Sequence, residues 1–485
     1  MTALTGFLQN LKAAVQSLLC VRQSMKSIEE TMKELDLTQG SVPKVLLQFA
    51  VPFLIANVLQ ALYGGADLFV VGQYDDSASV AAVAIGSQVM QTITGIILGI
   101  TTGTTVLIAI ATGAKDNRKV AFTIGSSVWL FSITGVVLTL VMVLFHSRIA
   151  ELMHTPVEAM VDTKNYILVC SLGILFIVGY NVVCGILRGL GDSKTPLYFV
   201  GLACVINIVL DFILVGYFHW GATGAAIATV TAQGVSFGIA LWFLYRHGFH
   251  FDFSRKDIRL NRNLSKKILV LGAPIALQDA LINVSFLIIT VIVNQMGVIA
   301  SASLGVVEKI IVFAMLPPMA ISSAVATMTA QNYGAGLIKR MNKCLASGIG
   351  IALVFGVSVC VYSQFLPETL TAFFTKDAAV VAMAADYLRG YSIDCIVVSF
   401  VFCINSYFSG QGNSLFPMIH SLIATFLFRI PLSYWFSQID SSSLFIMGFA
   451  PPISTVVSLL ICIWYLRYTQ RKLYLRGTMM PAMSN

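Results

Sequence analysis

The 485-residue chain is strongly apolar: 57% of its residues are hydrophobic, 11% are charged, and the mean hydropathy is +0.85. One water-soluble core is excluded, because too little polar surface exists to cover it. The net charge of +8 could suggest a nucleic-acid partner, but no stretch interleaves basic and aromatic residues, so we expect no nucleic acid to bind.

The first segment, residues 1–40, is more polar than the rest and is predicted to be a cytoplasmic N-terminal segment that could form an amphipathic surface helix. It lacks a basic start followed by an apolar stretch and a small-residue cleavage site, so we expect no cleavage. A translation start at Met25 or Met32 is an alternative, which leaves open whether residues 1–31 belong to the mature protein.

Apolar stretches then recur, each long enough to cross a hydrocarbon core of about 30 Å as a helix. They are apolar on nearly all sides, which excludes a barrel, whose strands alternate apolar and polar residues. We predict an all-α polytopic membrane protein with twelve transmembrane helices. The predicted helices lie near 45–72, 80–112, 119–145, 164–187, 197–217, 221–245, 268–294, 299–331, 341–364, 382–408, 418–436 and 444–468.

Lysine and arginine are concentrated in alternate loops, as in the group Lys115, Arg118 and Lys119. The intervening loops, such as QYDDSAS and SQIDSSS, carry almost none. Because basic loops stay on the cytoplasmic side, both termini are predicted to be cytoplasmic and the chain to be multi-pass in the cell (inner, cytoplasmic) membrane. The cysteines lie mostly in apolar runs without CxxC spacing, so we expect neither bridges nor metal binding.

The second half of the chain repeats the first. VPKVLLQFAVPFLIANVLQALYGGADLFVVGQ is echoed by LSKKILVLGAPIALQDALINVSFLIITVIVNQ, GAKDNRK by GAGLIKR, and LRGLGDSKTP by FSGQGNSLFP. Each half holds six spans, so the repeats are parallel and predict two pseudo-symmetric six-helix lobes around a central cleft. The predicted division is an N-lobe at 41–246, a cytoplasmic linker at 247–267, a C-lobe at 268–468 and a cytoplasmic tail at 469–485.

The first span carries a polar stripe. Gln60, Tyr63 and Asp67 share one helical face, with Asn57 one turn before them. A polar stripe on an apolar helix faces the interior of the bundle, because ionisable groups are costly in lipid. Gln60, Tyr63 and Asn57 are predicted to line or support a substrate cavity.

The fifth span supplies a second cluster, since Asn207 and Asp211 are four residues apart and share a face. Thr229 and Asn181 could complete an oxygen cage, or could serve helix packing alone. Two carboxylates in a partly dry site can bind a cation, or one can take a proton because burial and like charge disfavour the ionised form. Either makes Asp67, Asn207, Asp211, Thr229 and Asn181 a predicted cation or proton site. Sodium, if it is the ion, is predicted to bind Asp67, Asn207, Asp211 and Thr229.

The second half does not repeat these acids, since the repeat pairs Asp67 with Ile289. Glu308, in the eighth span, is a candidate carboxylate for a proton or substrate, or a residue in a local ion pair. Arg429, followed by Pro431, is expected to satisfy free carbonyls at a kink or to pair with an acid. Asp279 and Asp394 lie nearer span ends, where solvated positions are expected.

The motifs FAVPFLIANVLQALYGGADLFVVGQ, RGLGDSKTP with NIVLD, and GATGAAIAT resemble the multidrug and toxic compound extrusion (MATE) family over residues 35–470. The prokaryotic DinF-like branch is most similar, and its cation site matches Asp67, Asn207, Asp211 and Thr229. Another branch has an acid early in the seventh helix, where Asn283 stands here, which argues against an ion site in the C-lobe. The resemblance implies efflux of organic cations and amphipathic drugs driven by sodium or protons.

The predicted function is therefore secondary active multidrug efflux by antiport with protons or sodium through alternating access. The partners expected are small-molecule drugs or toxic organic cations and membrane lipids, with a monomeric chain, no cofactor, and H⁺ or Na⁺ as the coupling ion. A flippase for a lipid-linked precursor is the alternative, and it would need a cationic cavity for pyrophosphate. An enzyme or an ATP-driven pump is disfavoured, since the chain shows neither a clustered catalytic site nor a GxxxxGK[ST] loop.

Overall fold

The computed structural model describes residues 35–439 and 443–479, which are helical and contain no strand. Within this part, eleven helices are long and apolar enough to cross a membrane, and one bent pair brings the number to twelve. The all-α multi-pass prediction is confirmed. The spans are α1 Val42–Tyr74, α2 Ser77–Gly113, α3 Asn117–Leu152, α4 Val157–Leu172 with Ile174–Leu190, α5 Lys194–Tyr217, α6 Gly221–His247, α7 Arg262–Asn294, α8 Val298–Gly334, α9 Ile338–Phe365, α10 Ala378–Gly410, α11 Leu415–Ile439 and α12 Met447–Gln470.

Span α4 differs from the single helix predicted at 164–187, because its two parts meet at an angle of 49°. The break falls at Gly173, which packs against Val230 of α6. A Cβ on Gly173 would lie 2.6 Å from a Val230 methyl carbon, so only glycine allows this approach.

The last helix extends beyond the last predicted span. The helix that forms most of α12 runs over Ala450–Met479. It therefore continues past residue 469, where the sequence predicts that the cytoplasmic tail begins. The sequence also predicts an amphipathic helix within residues 1–40, and residues 1–34 of this segment lie outside the described residues.

The chain forms two compact units, of which the first includes Val51–Leu269 and the second includes Thr38–Ala50 and the chain from Val270 onward. In the most apolar 18-residue stretch of α2, 50% of the residues are buried, and in the corresponding stretch of α10, 61% are buried. Helix α2 belongs to the first unit and α10 to the second. By contrast, α3 exposes large apolar side chains such as Leu140 and Leu144. Such a face suits contact with lipid.

Small residues allow close helix packing in the first unit. The Thr105 hydroxyl of α2 donates to the Gly185 carbonyl of α4 over 3.0 Å. At Gly189, one turn later, a Cβ would lie 2.8 Å from the Thr105 carbonyl oxygen. Close approach of this kind is how helices associate within a membrane, where no hydrophobic driving force exists between them.

The segment between α6 and α7 packs on α3. The Trp129 indole donates to the Ile258 carbonyl over 3.1 Å, and Gly125 leaves room for the Asp257 carbonyl, which a Cβ would overlap. The Ser254 backbone N–H and hydroxyl donate to the Asp257 carboxylate over 2.8 and 3.0 Å, and these bonds lower its pKa. The segment is therefore an ordered structure held against the first unit.

Candidate ion-binding site

Three helices of the first unit each bring a pair of polar residues to one site, and each pair is spaced by four residues. Span α1 contributes Tyr63 and Asp67, α5 contributes Asn207 and Asp211, and α6 contributes Thr229 and Gln233. In a helix, side chains four residues apart lie on the same face, one turn apart. The three faces therefore converge on one polar cluster.

Hydrogen bonds connect the three helices through Thr229. Its hydroxyl donates to Asp67 Oδ2 over 3.0 Å and accepts from Asn207 Nδ2 over 3.4 Å. The Asp211 carboxyl lies next to that of Asp67, so the two groups repel each other when both are ionised. Thr229 thus fixes the distance between the Asp67 carboxylate and α5.

The site is buried and rich in oxygen atoms that lack protein donors. Asn207 and Asp211 are fully buried, and Asp67 is 4% exposed. Asp67 Oδ1, both carboxylate oxygens of Asp211, Asn207 Oδ1 and Gln233 Oε1 are buried without a hydrogen-bond partner. Buried polar atoms are normally satisfied, and an unsatisfied one costs about 1–3 kcal/mol. The cluster therefore fits a bound cation or proton, which these oxygen atoms would coordinate.

The coordinating atoms determine which ions could bind at this site. Oxygen ligands from carboxylate, amide and hydroxyl groups suit hard cations such as sodium, and a carboxyl pair can equally hold a proton. Among the residues that the structure describes, no three His, Cys, Asp or Glu side chains converge to hold a metal ion. The oxygen donors of the arrangement suit a hard cation or a proton.

The helix geometry changes directly after the site. A π-helical segment, Phe212–Tyr217, follows Asp211 and widens the last turns of α5. The chain then turns through His219 and Gly221, both with positive φ, and a Cβ at Gly221 would overlap the Asp75 carboxylate. π-helical turns occur frequently at functional sites, because they displace side chains from the regular helical register.

Among the described residues, no hydrogen bond joins the other predicted site residues to this cluster. The Asn181 amide donates to the Ile177 carbonyl of its own helix over 2.7 Å, and no hydrogen bond among the described residues joins it to either carboxylate. Gln60 is exposed and Asn57 half-buried on α1. Glu308 belongs to the second unit, whereas the cluster belongs to the first.

Gln233 is the site residue that the sequence analysis missed. It is 9% exposed and lies beside the Tyr63 hydroxyl. The signal was present, since Gln233 follows Thr229 by four residues and is the one amide side chain of α6.

Comparisons with known proteins agree with this architecture. The sequence model of the MatE family matches residues 52–213 and again residues 274–435, which confirms the internal repeat. Because the two matches cover more than half of the chain, the protein belongs to the MatE family. Members of this family are membrane transporters and not enzymes, so the same holds for this chain.

Among curated relatives, the probable multidrug resistance protein YpnP of Bacillus subtilis is 29% identical over 403 residues, 83% of this chain and 90% of YpnP. The multidrug export protein MepA of Staphylococcus aureus is 26% identical, over 77% of this chain and 83% of MepA. The solved outward-facing conformation of a multidrug resistance MATE family transporter has a TM-score of 0.85 at 23% identity, covering 91% of this chain and 99% of that one. This structural similarity shows the fold.

Proposed function

We propose that the protein exports cationic or amphipathic small molecules from the cell by antiport with protons or sodium, through alternating access. The observation that supports this most is the buried oxygen cluster of Asp67, Asn207 and Asp211, in which every carboxylate and amide oxygen except Asp67 Oδ2 lacks a protein donor. A transporter without ion coupling would gain nothing from two carboxylates in a dry site, since burying them costs several kcal/mol.

Ion binding at the cluster has a clear electrostatic consequence. A bound cation or proton neutralises part of the charge shared by Asp67 and Asp211, which changes the preferred packing of α1, α5 and α6. If substrate and ion each favour a different packing, they oppose each other's binding, and the coupling is reciprocal by thermodynamic necessity. Export then follows when the ion enters down its gradient and the substrate leaves.

The substrate class is proposed from the relatives. YpnP and MepA are named multidrug resistance and export proteins, and each aligns over most of this chain. The location proposed is the cell membrane, with both termini cytoplasmic, because the basic loops identified in the sequence alternate along the chain.

The test is uptake of a fluorescent cationic dye into everted membrane vesicles, energised separately by a proton gradient and by a sodium gradient. The wild type is expected to accumulate dye under one of the two gradients, and Asp67→Asn and Asp211→Asn are expected to lose this accumulation. Asp252→Asn is the matched control, because Asp252 is an exposed aspartate in the segment between α6 and α7. Undiminished uptake in both site variants would show that the coupling ion binds elsewhere.

A further inference from the structure

The second unit contains a cationic centre at Arg429, on α11. Its Cζ atom lies 4.2 Å from the centroid of the Phe286 ring of α7, and its Nε is buried without a hydrogen-bond partner. The ion pairs among the described residues join Arg148 and Lys164 to Glu151, and Arg389 to Glu368 and Asp386, so none includes Arg429. A guanidinium within a membrane span that lacks an ion pair is costly, and such a residue indicates a function.

The repeat shows that this cation replaces part of the first unit's site. The family matches end at residues 213 and 435, and Asn207 and Arg429 each lie six residues before those ends. Counted back from these two ends, the arginine corresponds to Asn207, an amide of the first unit's oxygen cluster. The same register places Ile289 opposite Asp67 and Ser433 opposite Asp211. The second unit has thus exchanged a cation-binding set for one centred on a positive charge.

Local helix geometry supports a role for this position. A π-helical segment, Ala424–Arg429, ends at the arginine, and in the first unit the π-helical segment Phe212–Tyr217 begins directly after Asp211. Each unit therefore has its ionisable residue at the boundary of a widened helical turn. Such turns are retained mostly where function requires them, because their hydrogen-bond geometry is poorer than that of a regular helix.

Acidic and aromatic side chains surround the guanidinium. Asp394 of α10 and Glu308 of α8 lie within electrostatic range of Arg429, but neither forms an ion pair with it. The solvated position expected for Asp394 is wrong, since it is 6% exposed and its Oδ1 is buried without a partner. On α10, Tyr387 and Tyr391 stack with ring centroids 6.1 Å apart, two turns and one turn before Asp394, and both lie within electrostatic range of Arg429. The centre therefore combines one cation, nearby carboxylates and aromatic rings.

We propose that Arg429 binds the carboxylate of an amphipathic aromatic substrate. A guanidinium presents parallel N–H donors that match a carboxylate in a bidentate way, which a lysine ammonium cannot do. The contact of Cζ with the face of the Phe286 ring restrains the guanidinium, and the Arg429 side chain is only partly buried. The nearby carboxylates attract an amine on the same molecule, so zwitterions are favoured over simple anions. The proposal rests on the proposed export function, whose substrate class it narrows.

The test measures binding to the purified full-length protein in lipid nanodiscs, without any ion gradient. The probes are rhodamine B, an aromatic dye with a free carboxylate and a cationic ring system, and its ethyl ester, which lacks the carboxylate charge. Fluorescence anisotropy gives the Kd of each dye. Arg429→Gln is expected to weaken rhodamine B binding by about tenfold to a hundredfold, the range for losing hydrogen bonds to a charged group. It is not expected to weaken binding of the ester, because the ester is a cation and the substitution removes a like charge.

Arg429→Lys keeps the positive charge but loses the two parallel N–H donors. It is therefore expected to weaken rhodamine B binding less than Arg429→Gln does, without weakening binding of the ester. Retained ester binding shows that each variant is folded. Equal weakening of both dyes, or no change for rhodamine B, would overturn the proposal, since Arg429 would then be a structural residue. Because no gradient is applied, an effect confined to rhodamine B stands even if gradient-driven export fails, so the two proposals are tested separately.

Discussion

Replacing Asp211 with asparagine should stabilise the ion-free protein and abolish its stabilisation by the coupling ion. In the wild type, both Asp211 oxygens and Asp67 Oδ1 are buried without hydrogen-bond partners. The asparagine amide can donate to Asp67 Oδ1, and it removes one of two adjacent charges. A hydrogen bond to a charged group contributes about 1.5–3 kcal/mol, which is the expected gain in the free energy of unfolding without ion.

Binding of the coupling ion, in contrast, should stabilise the wild type and not the variant. An ion present at a hundredfold excess over its Kd stabilises the folded state by about 2.7 kcal/mol. The wild type should show a stabilisation of this size when the coupling ion is added, whereas Asp211→Asn should show little. Thermal unfolding of the purified protein, with and without sodium and at two proton concentrations, measures both effects. The control Asp252→Asn should behave like the wild type. A wild-type ion response in Asp211→Asn would refute the assignment of the ion to this cluster.

Two further substitutions test the site and its scaffold. Thr229→Val removes the hydroxyl that donates to Asp67 over 3.0 Å, so the ion concentration for half-maximal dye transport should change by about tenfold or more. Thr231→Val makes the same change at an exposed position of α6 and should have no effect, and equal responses would contradict the role of Thr229. Gly125→Ala should lower the thermal stability, because its Cβ overlaps the Asp257 carbonyl. Gly238→Ala is the control: no atom lies within 4 Å of the new Cβ, so the free energy of unfolding should rise by about 0.5–1 kcal/mol. A similar gain for Gly125→Ala would show that the segment between α6 and α7 does not pack against Gly125.

Much of the candidate ion site follows from helical spacing alone. Polar residues four positions apart on apolar spans must share a face that avoids lipid, so Asp67, Asn207, Asp211 and Thr229 were all identifiable. The structure adds which of these faces meet: the Thr229 hydroxyl lies between Asp67 and Asn207. Spacing within a helix cannot provide this, because it does not determine which helices are neighbours.

The features that the sequence did not predict depend on contacts between distant residues. The bend in α4 requires Val230 next to Gly173, and the packing of the linker on α3 requires the Asp257 carbonyl next to Gly125. Neither glycine is distinguished by its local sequence. Asn181 illustrates the converse, since a polar residue on a buried span can satisfy itself on its own helix, here at the Ile177 carbonyl.

The most direct test of ion coupling at Asp67 and Asp211 is release of the ion by substrate from the purified protein. A cationic dye is added to protein in weakly buffered solution, with proton release followed by a pH indicator and sodium release followed by loss of bound ²²Na⁺. For the wild type, we predict that saturating dye displaces one of these ions in proportion to the protein present, and that the double variant Asp67→Asn with Asp211→Asn releases none. Release that persists unchanged in the double variant, with dye still bound, would contradict coupling at this site.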